Sequence, residues 1–280
     1  MKKKIAVIVT VHNRRCTTMR CFELFHKMHG LDKFDFDFYM VDDGCTDDTV
    51  EFVSREFPHI RILKGDGKLY WNRGMWFAWR EASCKSHDFY LWLNDDTMLF
   101  ENALELLFDD YNALYENTIV SGCCCDTETQ TKATYGGWRD RCLVSPNGTP
   151  QEVEKINGNF VLIPNSVYCR IGNLNPYFRH SFGDFEYGER ARKNGIGLFI
   201  SSFFIGTCNR HDYKKCFDKN ISLLLRLKYL YSPLGPHPMD TFYYFYNSED
   251  FFKAIKIILS VHLHCFFPRI WHWCLNSEKS

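Results

Sequence analysis

Phe89-Tyr90-Leu91-Trp92-Leu93-Asn94-Asp95-Asp96-Thr97 decides how this chain reads: a short run of apolar and aromatic residues that stops abruptly at an amide and two carboxylates. A run this short, rich in aromatics and flanked by polar residues, predicts a buried strand rather than a helix. Adjacent carboxylates at the end of such a strand repel each other and lose hydration unless something neutralises them. A divalent cation is the simplest neutraliser, because Mg2+ or Mn2+ takes hard oxygen ligands from one or two carboxylates and from substrate phosphates. In an open α/β sheet ligands lie outside the carboxyl ends of the strands, where Asp95 and Asp96 would stand. The plainer alternative is a polar turn after a strand.

The sequence before this stretch alternates strand and helix. Ile5 to Thr10 is a continuous β-branched and apolar run, expected to be a strand buried on both faces, with a helix following to about Met28. Phe36 to Val41 gives a second strand, closed by Asp42-Asp43-Gly44. Asp48 with Glu51 three residues on has the pattern of a capping box opening a helix. Ile60 to Leu63 is a third strand ending in Lys64-Gly65-Asp66-Gly67, Tyr70 to Ala82 reads as a helix, and Leu104, Leu107, Phe108, Tyr111 and Leu114 form an apolar stripe at helical spacing. Such alternation predicts a Rossmann-like, mostly parallel sheet flanked by helices. Each of its first four strands would deliver polar or glycine residues to one edge. Absent from that edge are the G-x-G-x-x-G of dinucleotide binders and the G-x-x-x-x-G-K-[ST] of phosphate loops. A nucleotide bound there would be held by carboxylates and a metal.

Composition narrows the classes further. Lys+Arg 34 against Asp+Glu 34 in 280 residues leaves no net charge to draw the chain onto nucleic acid. The apolar run after the Met-Lys-Lys-Lys start is too short for a signal peptide, and no run approaches the ~20 residues needed to span a bilayer, so a cytoplasmic location is expected. Thirteen cysteines without a C-x-x-C pair, three of them consecutive at Cys123 to Cys125, read as reduced and mostly buried small residues. The Asn147 and Asn220 glycosylation patterns would not meet the machinery in that compartment.

The later segments carry their own signals. Tyr135-Gly136-Gly137-Trp138 and Asn157-Gly158-Asn159 before Phe160 to Pro164 suggest hairpins and loops forming one wall of that edge. In Gly183-Asp184-Phe185-Glu186-Tyr187-Gly188-Glu189-Arg190, Glu186 and Arg190 make a favourable helical pair, placing Asp184 at the cap or in the first turn of a helix.

Taken together, IAVIVTVHNR, VDDGCTDDT, GDGKLYWNRGMWFAW, LWLNDDT, NGNFVLIP and GDFEYGERARKNG, ending near Asn209-Arg210-His211, resemble a family 2 glycosyltransferase of the GT-A fold over about residues 4–212. Within that family the chain looks like the rhamnosyltransferase-like bacterial enzymes that build surface polysaccharides. The resemblance implies a nucleotide-sugar site formed by Thr10, Val11, Asn13, Asp42, Asp43, Gly65, Gly67, Trp71, Asn72, Arg73, Asn94 and Asp95. Thr10 and Asp43 would meet the base, Arg73 the diphosphate or base, and Asp95 the ribose. Asp96 and His211 would hold Mn2+ or Mg2+, and Asp184 would be the general base of an inverting transfer of the sugar from a UDP- or dTDP-sugar to a saccharide or lipid-linked acceptor. Cys45 stands where serine is usual, Asn94-Asp95-Asp96 departs from a strict D-x-D, and Glu186 could compete with Asp184. Two rivals remain: a sugar-1-phosphate nucleotidyltransferase, which would need a glycine-rich loop in place of TVHNR, and an inactive sugar-binding scaffold.

These readings divide the chain into a catalytic domain over 1–212, with a nucleotide-binding half to about 115 and an acceptor half over 116–212, and a helical extension over 213–280. The extension mixes Lys214, Lys215, Lys219, Arg226 and Lys228 with leucines and aromatics, including Phe242 to Tyr246, Phe251 to His264 and Phe266 to Trp273. It fits peripheral attachment to the inner face of a membrane or packing against the core.

Overall fold

The computed structural model describes residues 2–210 and 213–269; of Tyr213 and Lys214 only the backbone is described. The chain runs β1 (Lys3–Val11), α1 (Arg15–Phe25), β2 (Phe34–Asp42), α2 (Thr49–Glu56), β3 (Arg61–Lys64), α3 (Tyr70–Ala82) and β4 (Phe89–Leu93). It continues with β5 (Met98–Leu99), α4 (Ala103–Ala113), β6 (Thr118–Cys125), β7 (Ala133–Tyr135), β8 (Gly137–Arg139), β9 (Cys142–Leu143), β10 (Gln151–Glu152), β11 (Lys155–Ile156) and β12 (Phe160–Pro164). Then come α5 (Asn165–Ile171), α6 (Gly183–Lys193), β13 (Gly197–Thr207), α7 (Leu223–Leu230), α8 (Pro238–Ser248) and α9 (Phe251–Phe266).

The central sheet has the order β10-β13-β6-β12-β4-β1-β2-β3. From β3 to β4 all neighbours are parallel, as the βα alternation requires. Beyond β4 the sheet is mixed: β12 runs antiparallel to both β4 and β6, while β6 and β13 are parallel. β11, β8 and β9 form a separate small antiparallel sheet in the region read as hairpins.

Strand periodicity sorts the core into two layers. From β1, Ile5, Val7, Val9 and Val11 point to the side closed by α1, α2 and α4, whereas Ala6 and Ile8 point to that closed by α3, α5 and α6. All five residues of β4 are buried, which is why the run shows no polar alternation. Cys123, Cys124 and Cys125 are buried free thiols on β6.

One local expectation changes. The α2 start is not capped by Asp48, whose φ is 61° and whose side chain makes no cap bond. Asp47 supplies the oxygen instead, accepting from the Thr49 amide and hydroxyl and, with its other oxygen, from the Arg15 amide at 3.0 Å. Asp47 thereby ties the starts of α1 and α2 together, a long-range requirement that a four-residue pattern does not encode.

Candidate active site

Register sets the site edge. Val11 pairs with Asp42 across β1 and β2, and two residues past the Ile8–Trp92 pair stand Thr10 and Asn94. Asp43 follows directly and is 4% exposed. Its Oδ1 accepts from the amides of Gly67 (2.9 Å) and Leu69 (3.1 Å), and its Oδ2 from Tyr70 (2.8 Å). This carboxylate therefore folds the Gly65-Asp66-Gly67 turn over the end of β2 and fixes the start of α3. Three of its roughly four acceptor positions are thereby filled, leaving one on Oδ2 for a ligand. Around it, Asp42 accepts from the Cys45 amide, Asn13 accepts from the Thr46 amide, the Gly65 amide donates to the Asp42 carbonyl and the Val11 carbonyl accepts from the Asp43 amide. Thr10 stands against Gly74 of α3.

The pair at the end of β4 is partly neutralised by an arginine. Arg14 Nη1 donates to Asp95 Oδ1 at 3.1 Å and Asp96 Oδ2 at 2.8 Å, and the Thr18 hydroxyl donates to Asp95 Oδ2 at 2.8 Å. Burial pushes the Asp95 carboxyl up to about 6; Arg14 and Thr18 oppose this and the Asp96 charge adds to it. Burial also works against the Arg14 charge, but the two carboxylates outweigh it and hold the guanidinium more firmly protonated. Arg14 thus shares in offsetting the charge of the pair, and each Asp95 oxygen has a protein partner, Arg14 on one and Thr18 on the other. Asp96 is the more open of the two, its side chain 16% exposed against 6% for Asp95. A Mg2+ or Mn2+ bound mainly through waters and substrate phosphates needs only one such carboxylate, so Asp96 fits it and Asp95 does not. Among the described residues no group of three or more His, Cys, Asp or Glu is arranged to hold a metal, and His211 lies outside them.

Asp184 lies in the first turn of α6 and is part-buried. Its Oδ1 accepts from the Phe185 amide at 2.9 Å and its Oδ2 from the Gly158 amide at 3.1 Å. Burial nonetheless pushes its carboxyl up to about 6, with those amides pulling the other way. Gly158 joins Asp184 to the β4 edge. A Cβ there would stand 2.3 Å from Trp71 Cζ2, so only glycine lets that ring lie against the 157–159 turn. Trp71 Nε1 then donates to Asn94 Oδ1 at 2.6 Å, and the Asn94 amide donates to the Asn159 carbonyl at 2.8 Å. An unbroken set of contacts thus runs from Asp184 through Gly158, Trp71 and Asn94 to Asp95 and Asp96.

Other expected residues are bracing ones. Asn72 is fully buried, and its Nδ2 donates to the carbonyls of Asn175 and Phe178, both at 2.8 Å, holding α3 to the 175–179 loop. A Cβ on Gly183 would collide with Asn72 at 1.8 Å, so that contact also requires the glycine before Asp184. Arg73 donates to the carbonyls of Pro176 (2.9 Å) and Tyr177 (3.2 Å), which ties its guanidinium to the same loop. Glu186 is paired with Arg190 at 2.9 and 3.1 Å, leaving Asp184 as the carboxylate on the Gly158 side. Arg14 and Thr18 were assigned no role from sequence; the only signal was their place at the head of the helix after β1.

A parallel α/β half whose strand ends gather carboxylates, joined to a mixed half that brings a first-turn helix aspartate to the same edge, defines a GT-A type of fold. The family described as glycosyl transferase family 2 matches residues 6–208, and the chain belongs to it. Among solved structures it is similar to that of GalNAc-T7 with UDP, GalNAc and Mn2+, at 12% identity and a TM-score of 0.56, over 72% of this chain and 42% of that one. The chain thus spans less than half of that protein, and the likeness is one of fold. No curated protein sequence matches.

Proposed function

We propose that this protein transfers a sugar, with inversion, from a nucleotide-diphospho-sugar of the UDP or dTDP type to a hydroxyl of a saccharide or lipid-linked acceptor. The observation that supports the reading is the continuous set of contacts between Asp184 and the Asp95–Asp96 pair, which would put a base and an electrostatic site on one edge of the sheet. Asp184 accepts the acceptor proton as that oxygen attacks the anomeric carbon, a step requiring approach within ~3 Å. A carboxyl near 6 suits this role: it is ionised at neutral pH yet more basic than an ordinary aspartate. On the same sheet edge, Arg14 offsets only part of the charge of Asp95 and Asp96, and the negative charge left over favours a cation there, which would in turn stabilise a departing diphosphate. A Mn2+ or Mg2+ held at Asp96 would add Lewis-acid stabilisation of the same charge, in keeping with the UDP and Mn2+ present with GalNAc-T7. In-line attack needs no covalent enzyme intermediate, and Glu186, tied to Arg190, does not compete for the proton.

Bacterial surface-polysaccharide synthesis, by a rhamnosyltransferase-like enzyme working in the cytoplasm or at the inner face of the membrane, is the setting this reading favours. Among the described residues no helix is long and apolar enough to cross a membrane. The test is incubation with a panel of UDP- and dTDP-sugars and manganese, scored for slow release of nucleoside diphosphate. Release from at least one donor, lost in Asp184→Asn while nucleotide affinity is kept, is the expected outcome. Pyrophosphate formed from a nucleoside triphosphate would indicate the nucleotidyltransferase instead, and silence with every donor an inactive scaffold.

A further inference from the structure

The helical extension has one side held by the protein and one side left open. α8 is fastened to the acceptor half: Tyr243 stacks on Tyr177 at 3.8 Å, Tyr244 stacks on Phe182 at 4.7 Å, and Lys193 Nζ donates to the Asn247 carbonyl at 3.1 Å. α9 follows it over 16 residues, a length of ~24 Å. On its inner side Ala254 and Cys265 are fully buried and Val261 packs on Cys216, Phe217 and Leu230. On its outer side Phe252, Ile255, Leu259, Leu263 and Phe266 are 82%, 38%, 65%, 45% and 45% exposed. Their spacings of three and four put them on one stripe. An amphipathic helix normally turns that stripe inward; here the polar face is scarcely present and the open face is the apolar one.

We propose that the outer face of α9 lies on the surface of an anionic lipid bilayer. Its charges choose this occupant. From Phe251 to Arg269 there is no aspartate or glutamate, while Lys256, exposed, flanks the stripe and Arg269 follows it. Lys253 also lies on this helix, paired with Glu249. Apolar side chains beside cations match the acyl boundary beneath anionic headgroups, and a helix this short lies in the interface rather than crossing it. A second copy of the chain fits less well, because a two-fold pairing of identical faces would bring the basic flanks together. Because α8 joins this face to the segment leading into α6, a bilayer there would lie against the half that carries Asp184. That last point rests on the transferase reading with a lipid-linked acceptor; the lipid contact itself does not.

The test is sedimentation of the full chain with vesicles of phosphatidylcholine alone and of phosphatidylcholine with phosphatidylglycerol, with light scattering in their absence. Binding to the anionic vesicles about tenfold or more above the neutral ones is expected, weakened by salt. Phe252→Ser with Leu259→Ser and Leu263→Ser should lose about tenfold or more of it, and Lys256→Glu, which leaves every apolar residue in place, several-fold. No binding to anionic vesicles, or binding that both variants leave intact, overturns the proposal. So does a dimer in solution that the triple variant dissociates, which would make the face a contact between copies. None of these readouts depends on sugar transfer, so failure here leaves the reaction assignment standing.

Discussion

Asp184→Asn separates the chemical role of this side chain from its structural cost. The wild-type carboxyl titrates near 6 against an ordinary 3.8 because it is buried, so the folded protein binds this proton more tightly than the unfolded chain. The sign follows: stability from this group is fully present below about pH 3.8 and is lost as the pH rises through 6. At 1.36 kcal/mol per pH unit the loss amounts to about 3 kcal/mol at pH 8. An amide carries no charge and avoids that loss, but one of the two amides now donating to Asp184, from Gly158 or Phe185, would face an NH2 group, at a cost of about 1–2 kcal/mol. The variant should therefore be about 1–2 kcal/mol more stable than wild type at pH 8 and equal or weaker at pH 4, by urea denaturation at both pH values. Its transfer rate should fall roughly 10²- to 10⁴-fold with nucleotide affinity unchanged. In the wild type, turnover should rise with pH through about 6 and then level. A stability difference independent of pH would refute the burial argument, and near-normal turnover would refute the base.

Three other substitutions probe the parts that hold the cleft together. Arg14→Gln leaves Asp95 buried beside Asp96 without its cation; because Arg14 is 42% exposed in its side chain, the cost is discounted to about 1–2 kcal/mol, larger at pH 8 than at pH 5, measured by the same denaturation series. An effect equal at both pH values would mean that the charge is not what Arg14 supplies. Gly158→Ala drives a methyl into Trp71 and should cost about 1–3 kcal/mol, shift tryptophan fluorescence and slow transfer together; unchanged fluorescence with full activity would contradict the contact. Asp43→Asn sets an NH2 group against backbone amides at a buried position and should cost about 1–3 kcal/mol while loosening nucleotide binding; a variant as stable as wild type would show that the 65–70 turn does not depend on it.

The parallel half was legible in the sequence because β1 and β4 hold apolar runs of strand length, β2 carries a shorter one over 38–41, and α3 lies between clear breaks, so local propensity and burial agree from Tyr70 to Ala82. The ordering of acidic residues along the chain likewise announced a family 2 glycosyltransferase. The sequence also marked the 213–280 segment as basic and aromatic, yet could not say which side of each helix the core would take. Only the tertiary structure decided that α8 docks while α9 keeps an apolar face open, that Arg14 meets both Asp95 and Asp96, and that Asn72 and Arg73 brace a loop. Those outcomes depend on partners 54 to 106 positions away, as Lys193 is from Asn247 and Asn72 from Phe178. Periodicity and capping rules act over a few residues, whereas a buried charge or amide is satisfied by whatever the completed fold brings beside it.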